Sequence, residues 1–346
     1  MEAEAGTPTM AGFANQPPRK VSVSVFKNVI VYRIEAPWSP SLTDAENALA
    51  EQRFVPCAPS QEKSAGWVEP RGQEHGPLIE SVGGQWLLEF MIEAKTLPGS
   101  VVRRKVDERC AQIEATTGRK PGKKEKRDLK EDITHELLPM AFTRHARVAV
   151  WIDPQERRLV INASNAARAD EIVTSLVKAL EGFAVTQINT QIEPATAMSN
   201  WLSSQEAPPG FTIDRECELK ATDESKSVVR YAKHALDIEE VRQHIADGKR
   251  PTRLAMTWED RVSFELSETM QLRKIVFIEG TDAAQDGKKE DNFDADAAIA
   301  TGELGEMVPA LLEALGGEAA FTAALAEPAA PAVASATSAE ADDAPF

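Results

Sequence analysis

Three successive apolar runs late in the chain, the first two alternating, restrict its fold more than any other feature. Leu254, Met256 and Trp258 alternate with small or polar residues, Val262, Phe264 and Leu266 do the same, and Leu272–Ile278 follows as a third run. A period of two sends neighbouring side chains to opposite faces of a strand, and connections this short join strands that lie side by side. A second hairpin is predicted earlier, where Val148, Val150 and Ile152 alternate, Asp153-Pro154 turns, and Leu159 and Ile161 return. Strands are also predicted over residues 25–34, on either side of Gly83-Gly84 within 78–93, and near 211–219 and 227–232.

Helical spacing appears between these runs. Residues 41–53 predict a helix with Thr43 and Glu46 in capping-box spacing. Residues 166–180 place Ile172, Val173, Leu176, Val177 and Leu180 on one face. Asp237 is placed to cap a helix over 238–246, residues 198–202 suggest a short one, and residues 303–315 form the last. Proline and glycine make 56–77 read as loop. The fold class expected is α+β, with mixed or antiparallel sheets and packed helices. Residues 1–24 read as a flexible extension, 25–318 as the ordered body, and the acidic Ala/Pro-rich 319–346 as a disordered tail.

One module stands apart, at residues 97–142. Val102, Val106, Cys110 and Ile113 recur at helical spacing, Gly118, Pro121 and Gly122 interrupt, and a second helix is predicted over 123–138 before Pro139. Two helices with so short a connection predict an antiparallel hairpin projecting from the body. On the second helix Leu129, Ile133 and Leu137 form a stripe. Lys123, Lys124, Arg127 and Lys130 lie on an arc of about 120° away from it, broken by Glu131. Arg103 and Arg109 flank the stripe of the first helix, Arg104 points outward, and the turn adds Arg119 and Lys120.

The net charge of −16 argues against a nucleic-acid partner only if the charge is spread evenly, and it is not. Residues 279–346 carry 15 acids and 2 bases, the preceding 278 residues carry 40 and 37, and residues 101–130 carry 5 and 11. A one-sided array of long cations suits a polyphosphate backbone, although it also reads as a solvated face that keeps the chain soluble. No aromatic residue lies between Phe90 and Phe142, which argues against stacking on single strands. Without a helix-turn-helix or zinc-finger pattern, base-specific readout has no support.

Catalytic patterns fail one by one. The glycines at Gly118 and Gly122 are too close for a phosphate-binding loop, and Lys124 stands where it needs a hydroxyl residue. His135-Glu136 begins a zinc-protease motif, but Pro139 replaces its second histidine. Asp291, Asp294 and Asp296 could serve a metal-dependent nuclease, or form an acidic turn before the last helix. Cys57, Cys110 and Cys217 are odd in number and lack CxxC spacing, as expected of a reduced, cytosolic protein without structural zinc. No leader pattern is visible at the start, and the most apolar stretch, 86–92, is too short to span a bilayer, so no membrane partner is expected.

Several segments resemble the RdgC family of bacterial recombination-associated proteins. They are FKNVIVYR at 26–33, RFVPC at 53–57, GWVEP at 66–70, KKEKRDLKEDITHELLPMAF at 123–142, WID at 151–153, FDAD at 293–296 and TGELGEMVPALLEALGGE at 301–318. The resemblance implies a non-enzymatic, cytoplasmic, nucleoid-associated protein with no cofactor or metal. It implies a ring-shaped homodimer that binds double-stranded DNA with little sequence preference and limits the access of RecA; single-stranded DNA stays open as a second partner. The hairpin would be the tip module. DNA contacts are then expected at Arg103, Arg104, Arg109, Arg119, Lys120, Lys123, Lys124, Arg127 and Lys130, with Lys233 carried over from the family near the other interface. Phe142 matches a family aromatic that engages the partner subunit. Met140 and His234 depart from the residue types that some relatives carry there. On the residues alone, Phe142 also fits a core position and Lys233 a solvated strand end. A regulator that contacts the recombinase directly is the alternative function, and the nuclease a remote one.

Overall fold

In a computed structural model, residues 20–21, 26–278 and 293–319 are described. The rest of the predicted extension, residues 320–346 of the predicted tail, and Asp291 lie outside the described residues. The elements run β1 Lys20–Val21, β2 Ile30–Ile34, α1 Leu42–Ala50, β3 Lys63–Val68, β4 Glu80–Val82, β5 Gln85–Thr96, α2 Gly99–Thr117, α3 Lys123–Leu137 and a 3-10 turn Leu138–Met140. They continue with β6 Phe142–Asp153, β7 Arg158–Ile161, α4 Ala166–Ala179, β8 Val185–Gln187, α5 Pro194–Ser204, β9 Phe211–Ala221 and β10 Val228–Ala232. The last are α6 Glu239–Ala246, β11 Lys249–Trp258, β12 Val262–Ser267, β13 Leu272–Ile278 and α7 Phe293–Ala314.

The strands make two sheets, and every pairing between named strands is antiparallel. The first sheet has the order β3-β5-β6-β7-β2-β8, with β4 on β5; the second has β1-β13-β12-β11-β9-β10. The alternating triplets face one another as their spacing demands: Leu254 pairs with Leu266, Met256 with Phe264 and Trp258 with Val262. Across the earlier hairpin, Val150 pairs with Ile161 and Ile152 with Leu159.

Two apolar clusters result. One face of the first sheet packs Ile30, Trp67, Phe90 and Val150 with Leu49 of α1 and Ile172 and Leu176 of α4. Its opposite face contributes Val31, Leu87, Trp151 and Val160 to a second cluster, shared with Leu254, Met256 and Phe264 of the second sheet, Met198 of α5, and Leu304, Met307 and Leu311 of α7. Each of these large side chains stabilises the fold by roughly 1.5–3 kcal/mol on leaving water. The α+β expectation is met.

Several local expectations are corrected. Strand β3 lies inside the stretch predicted as loop, because its pairing with β5 and the burial of Trp67 outweigh a sequence poor in branched residues. Gly66 lets the 52–54 segment pass over it: a Cβ there would lie 2.6 Å from Phe54 Cα and 2.8 Å from the Gln52 carbonyl oxygen. Ser41, not Thr43, caps α1, its hydroxyl accepting the Asp44 N–H at 3.1 Å. Glu46 instead accepts the Leu78 N–H at 3.1 Å, tying α1 to the loop before β4. Ile238, not Asp237, is the N-cap of α6, without a side-chain bond. Helix α5 is longer than 198–202, and α7 starts ten residues before the predicted 303. The added part of α7 buries Ala297, Ala300 and Thr301, residues too small to register as an apolar stripe.

Candidate nucleic-acid interface

Strands β5 and β6, 12 residues each, pair from Trp86↔Ile152 out to Thr96↔Phe142. At the usual strand rise each is about 40 Å long. Burial along β6 is complete from Val150 to Asp153 and gone from Phe142 to His145. Helices α2 and α3 connect the outer ends of these strands and pack on each other.

The local sequence accounts for the hairpin. Gly118 ends α2 in the left-handed region at φ 72°, with its N–H on the Glu114 carbonyl at 2.8 Å. Gly122 opens α3 without a side-chain cap, so the first N–H groups of α3 keep their positive end of the dipole uncovered by a side chain. Ile133 is buried and Leu129 and Leu137 half-buried, which is the predicted stripe, and Leu138 beyond it is buried as well.

All nine hairpin cations expected from sequence are exposed. They divide into two kinds. Arg103, Lys123, Lys124 and Lys130 make no ion pair among the described residues. The other five are held by carboxylates of the hairpin itself: Arg104 by Glu108 at 3.9 Å, Arg109 by Glu136 at 3.6 Å, Lys120 by Glu114 at 3.7 Å, and Arg127 by Glu131 at 3.8 Å and Asp128 at 3.9 Å. Arg119 gives two hydrogen bonds to Glu125, at 2.9 and 3.3 Å. The 101–130 window overstated the positive charge, since it stops midway along α3. Counted over residues 99–138, the 11 cations meet 8 carboxylates, with Glu131, Asp132 and Glu136 now included. Three exposed cations were missed: Lys105, Lys126 and Arg144 are also without ion pairs among the described residues. Lys126 falls outside the arc drawn for α3, and Arg144 lies on β6, so helical spacing could not find them.

Lys233 and Phe142 sit in different places. Lys233 follows β10, the outermost strand of the second sheet, whereas the hairpin grows from the first. It is exposed, adopts φ 55°, and borders a depression with Arg215, Glu216, Glu265 and Lys274. Lys274 bridges the two carboxylates there, at 2.9 Å from each, and they raise its pKa. Phe142 is 87% exposed and Met140 72%, so Phe142 is not a core residue. Buried Leu138 anchors the turn that presents them.

Of the aspartates considered for a nuclease, Asp294 is engaged elsewhere and Asp291 lies outside the described residues. Asp294 ion-pairs with Arg71, which also reaches Glu80 at 3.0 Å and covers the Phe293 ring at 4.6 Å. Burial raises the Asp296 carboxyl above its usual range. Burial also pushes the Cys217 thiol up to about 12, leaving it uncharged at neutral pH. Among the described residues no group of three or more His, Cys, Asp or Glu is placed to hold a metal ion, and no helix is long and apolar enough to cross a membrane.

Fold and site together define a two-sheet α+β protein with a cation-bearing helical hairpin at the end of a β stem. The chain belongs to the RdgC family: a family model described as "Putative exonuclease, RdgC" matches residues 25–318. It is similar to proteins named "Recombination-associated protein RdgC". That of Dechloromonas aromatica is 43% identical over 299 residues, covering 85% of this chain and 98% of the relative. The Cupriavidus necator protein is 44% identical over 296 residues, with the same two shares. The Bordetella pertussis protein is 40% identical over 297 residues, again covering 85% and 98%.

Proposed function

We propose that this protein acts in recombination as a homodimer that encircles double-stranded DNA with little sequence preference and limits the access of RecA to it. It does so by occupancy and without catalysis, in the cytoplasm, on the nucleoid. The observation that carries the reading is the hairpin: exposed cations on two helices, no aromatic stacking residue among them, and a large exposed aromatic at their base. Such a surface takes phosphates and ignores bases. The names borne by the relatives supply the recombination setting.

A salt titration on duplexes of unrelated sequence tests it. The logarithm of the binding constant falls linearly with the logarithm of salt concentration, with a slope near −0.9 for each phosphate neutralised. Binding that ignores salt, or that holds to one sequence, contradicts the proposal. Run with Mg²⁺ present, the same samples test the exonuclease named in the family description, since shortened duplexes would replace occupancy by cleavage.

Phe142 carries the dimer part. Phe142→Ser leaves the subunit folded, because an exposed side chain supports little of the core. At an interface centre, an aromatic of this size contributes about 2 kcal/mol or more, so the dimer dissociation constant rises at least about thirtyfold. Sedimentation equilibrium reads the change. Equal dimerisation of the variant and the parent removes Phe142 from the interface.

A further inference from the structure

We propose that Glu125, supported by Glu114 and Glu131, limits the affinity of the hairpin for a polyanion by holding Arg119, Lys120 and Arg127 in the free protein. This rests on the reading of the hairpin as the DNA interface and identifies what restrains it. The two oxygens of Glu125 receive the two terminal nitrogens of Arg119 at 2.9 and 3.3 Å. A guanidinium offers the same paired donors to a phosphate, so carboxylate and phosphate compete for one fork. The carboxylate is the more enclosed partner, 35% exposed against 63% for Arg119, which leaves the guanidinium reachable from solvent.

The neighbouring pairs repeat the arrangement. Glu114, in the last turn of α2, holds Lys120 at 3.7 Å, and Glu131, one turn along α3 from Arg127, holds it at 3.8 Å. Ion pairs this exposed are weak, so a duplex with its dense phosphate charge displaces them. The displaced carboxylates then stand beside phosphates, and that repulsion weakens the complex further. Competition in the free state and repulsion in the bound state act in the same direction. An RdgC protein tuned in this way releases DNA readily although its hairpin holds eleven cations.

The test is fluorescence anisotropy with a labelled duplex of mixed sequence, on the full chain and its variants. Glu125→Gln keeps the length and helix propensity of the side chain and removes its charge. It should tighten binding about two- to fivefold, and the E114Q/E125Q/E131Q triple variant about tenfold or more. The salt slope should steepen in the triple variant, by up to about 0.9 for each carboxylate removed. Introduced into R119Q, the E125Q change should bring a smaller gain than in the parent, an interdependence that a mere brace of the turn would not produce. Circular dichroism and melting confirm that the variants fold. E125Q binding equal to or weaker than the parent, or an equal gain in the R119Q background, overturns the proposal. If reversing Lys123, Lys124 and Lys130 to Glu also leaves binding unchanged, the DNA-interface reading falls with it; if that reversal weakens binding, only the proposal falls.

Discussion

Arg158→Met lowers the unfolding free energy by about 3–5 kcal/mol, the usual loss when a buried ion pair is deprived of one partner. The side chains of Arg158 and Asp153 are 5% and 4% exposed, with 3.4 Å between Nη2 and Oδ2. Burial lowers the Arg158 pKa, against the opposing pull of Asp153. Its other donor, Nη1, reaches the Gly305 carbonyl of α7 at 3.2 Å. That carbonyl needs a partner because Pro309, four residues on, has no N–H to offer it. One guanidinium therefore completes the β6–β7 hairpin and the interrupted ladder of α7. The variant leaves a carboxylate and a carbonyl buried and underserved, although Asp153 keeps the N–H groups of Gln155 and Glu156 at 3.1 and 3.0 Å. Urea denaturation should show a lower midpoint at unchanged slope, and the melting temperature should drop by about 10 °C. Adding Asp153→Asn should recover about 1–2 kcal/mol, since part of the loss is the stranded charge. A loss below about 1 kcal/mol would show that α7 docks without Arg158.

Reversing Lys123, Lys124 and Lys130 to Glu should weaken duplex binding by a factor of about 10²–10³ near 0.1 M salt. With a slope of about −0.9 per phosphate, each contact contributes about eightfold at that salt, and three contacts multiply to roughly 500. The salt slope should become shallower by about 2.7. These three were chosen because none has an ion-pair partner among the described residues, so no carboxylate is stranded by the change. Glutamate at positions 123 and 124 also suits the positive end of α3, and the hairpin should stay folded. Reversing Lys27, Arg168 and Lys178 to Glu, all exposed and away from the hairpin, makes the same change in net charge and controls for it. If that control matches the hairpin triple variant in loss of slope, binding senses overall charge and not the hairpin.

Much of the fold could be read along the chain, and the misses share a cause. The 254–278 meander, the 148–161 hairpin, α4 and both hairpin helices appear where their periodicity places them, since each repeats its pattern over one local segment. Strand β3 could not be read, because Lys63–Val68 has no alternation of its own and takes strand form from β5. The first half of α7 escaped because Ala297 and Ala300 fit against neighbours through being small. At the hairpin the cations were legible, as was their exposure. Their pairing was not: Glu136 is 27 positions from Arg109 and became its partner only when α3 folded back on α2.

By itself, the sequence determined which segments alternate, which wind, and where the long cations stand. Those are short-range properties, set by backbone geometry and the spacing of apolar side chains within a few residues. Tertiary structure alone decided that Phe142 faces solvent, that Arg158 serves a carbonyl 147 positions away, and that Glu136 closes on Arg109. Burial and pairing depend on which distant groups reach the same place and exclude water there. No window of local sequence contains that information.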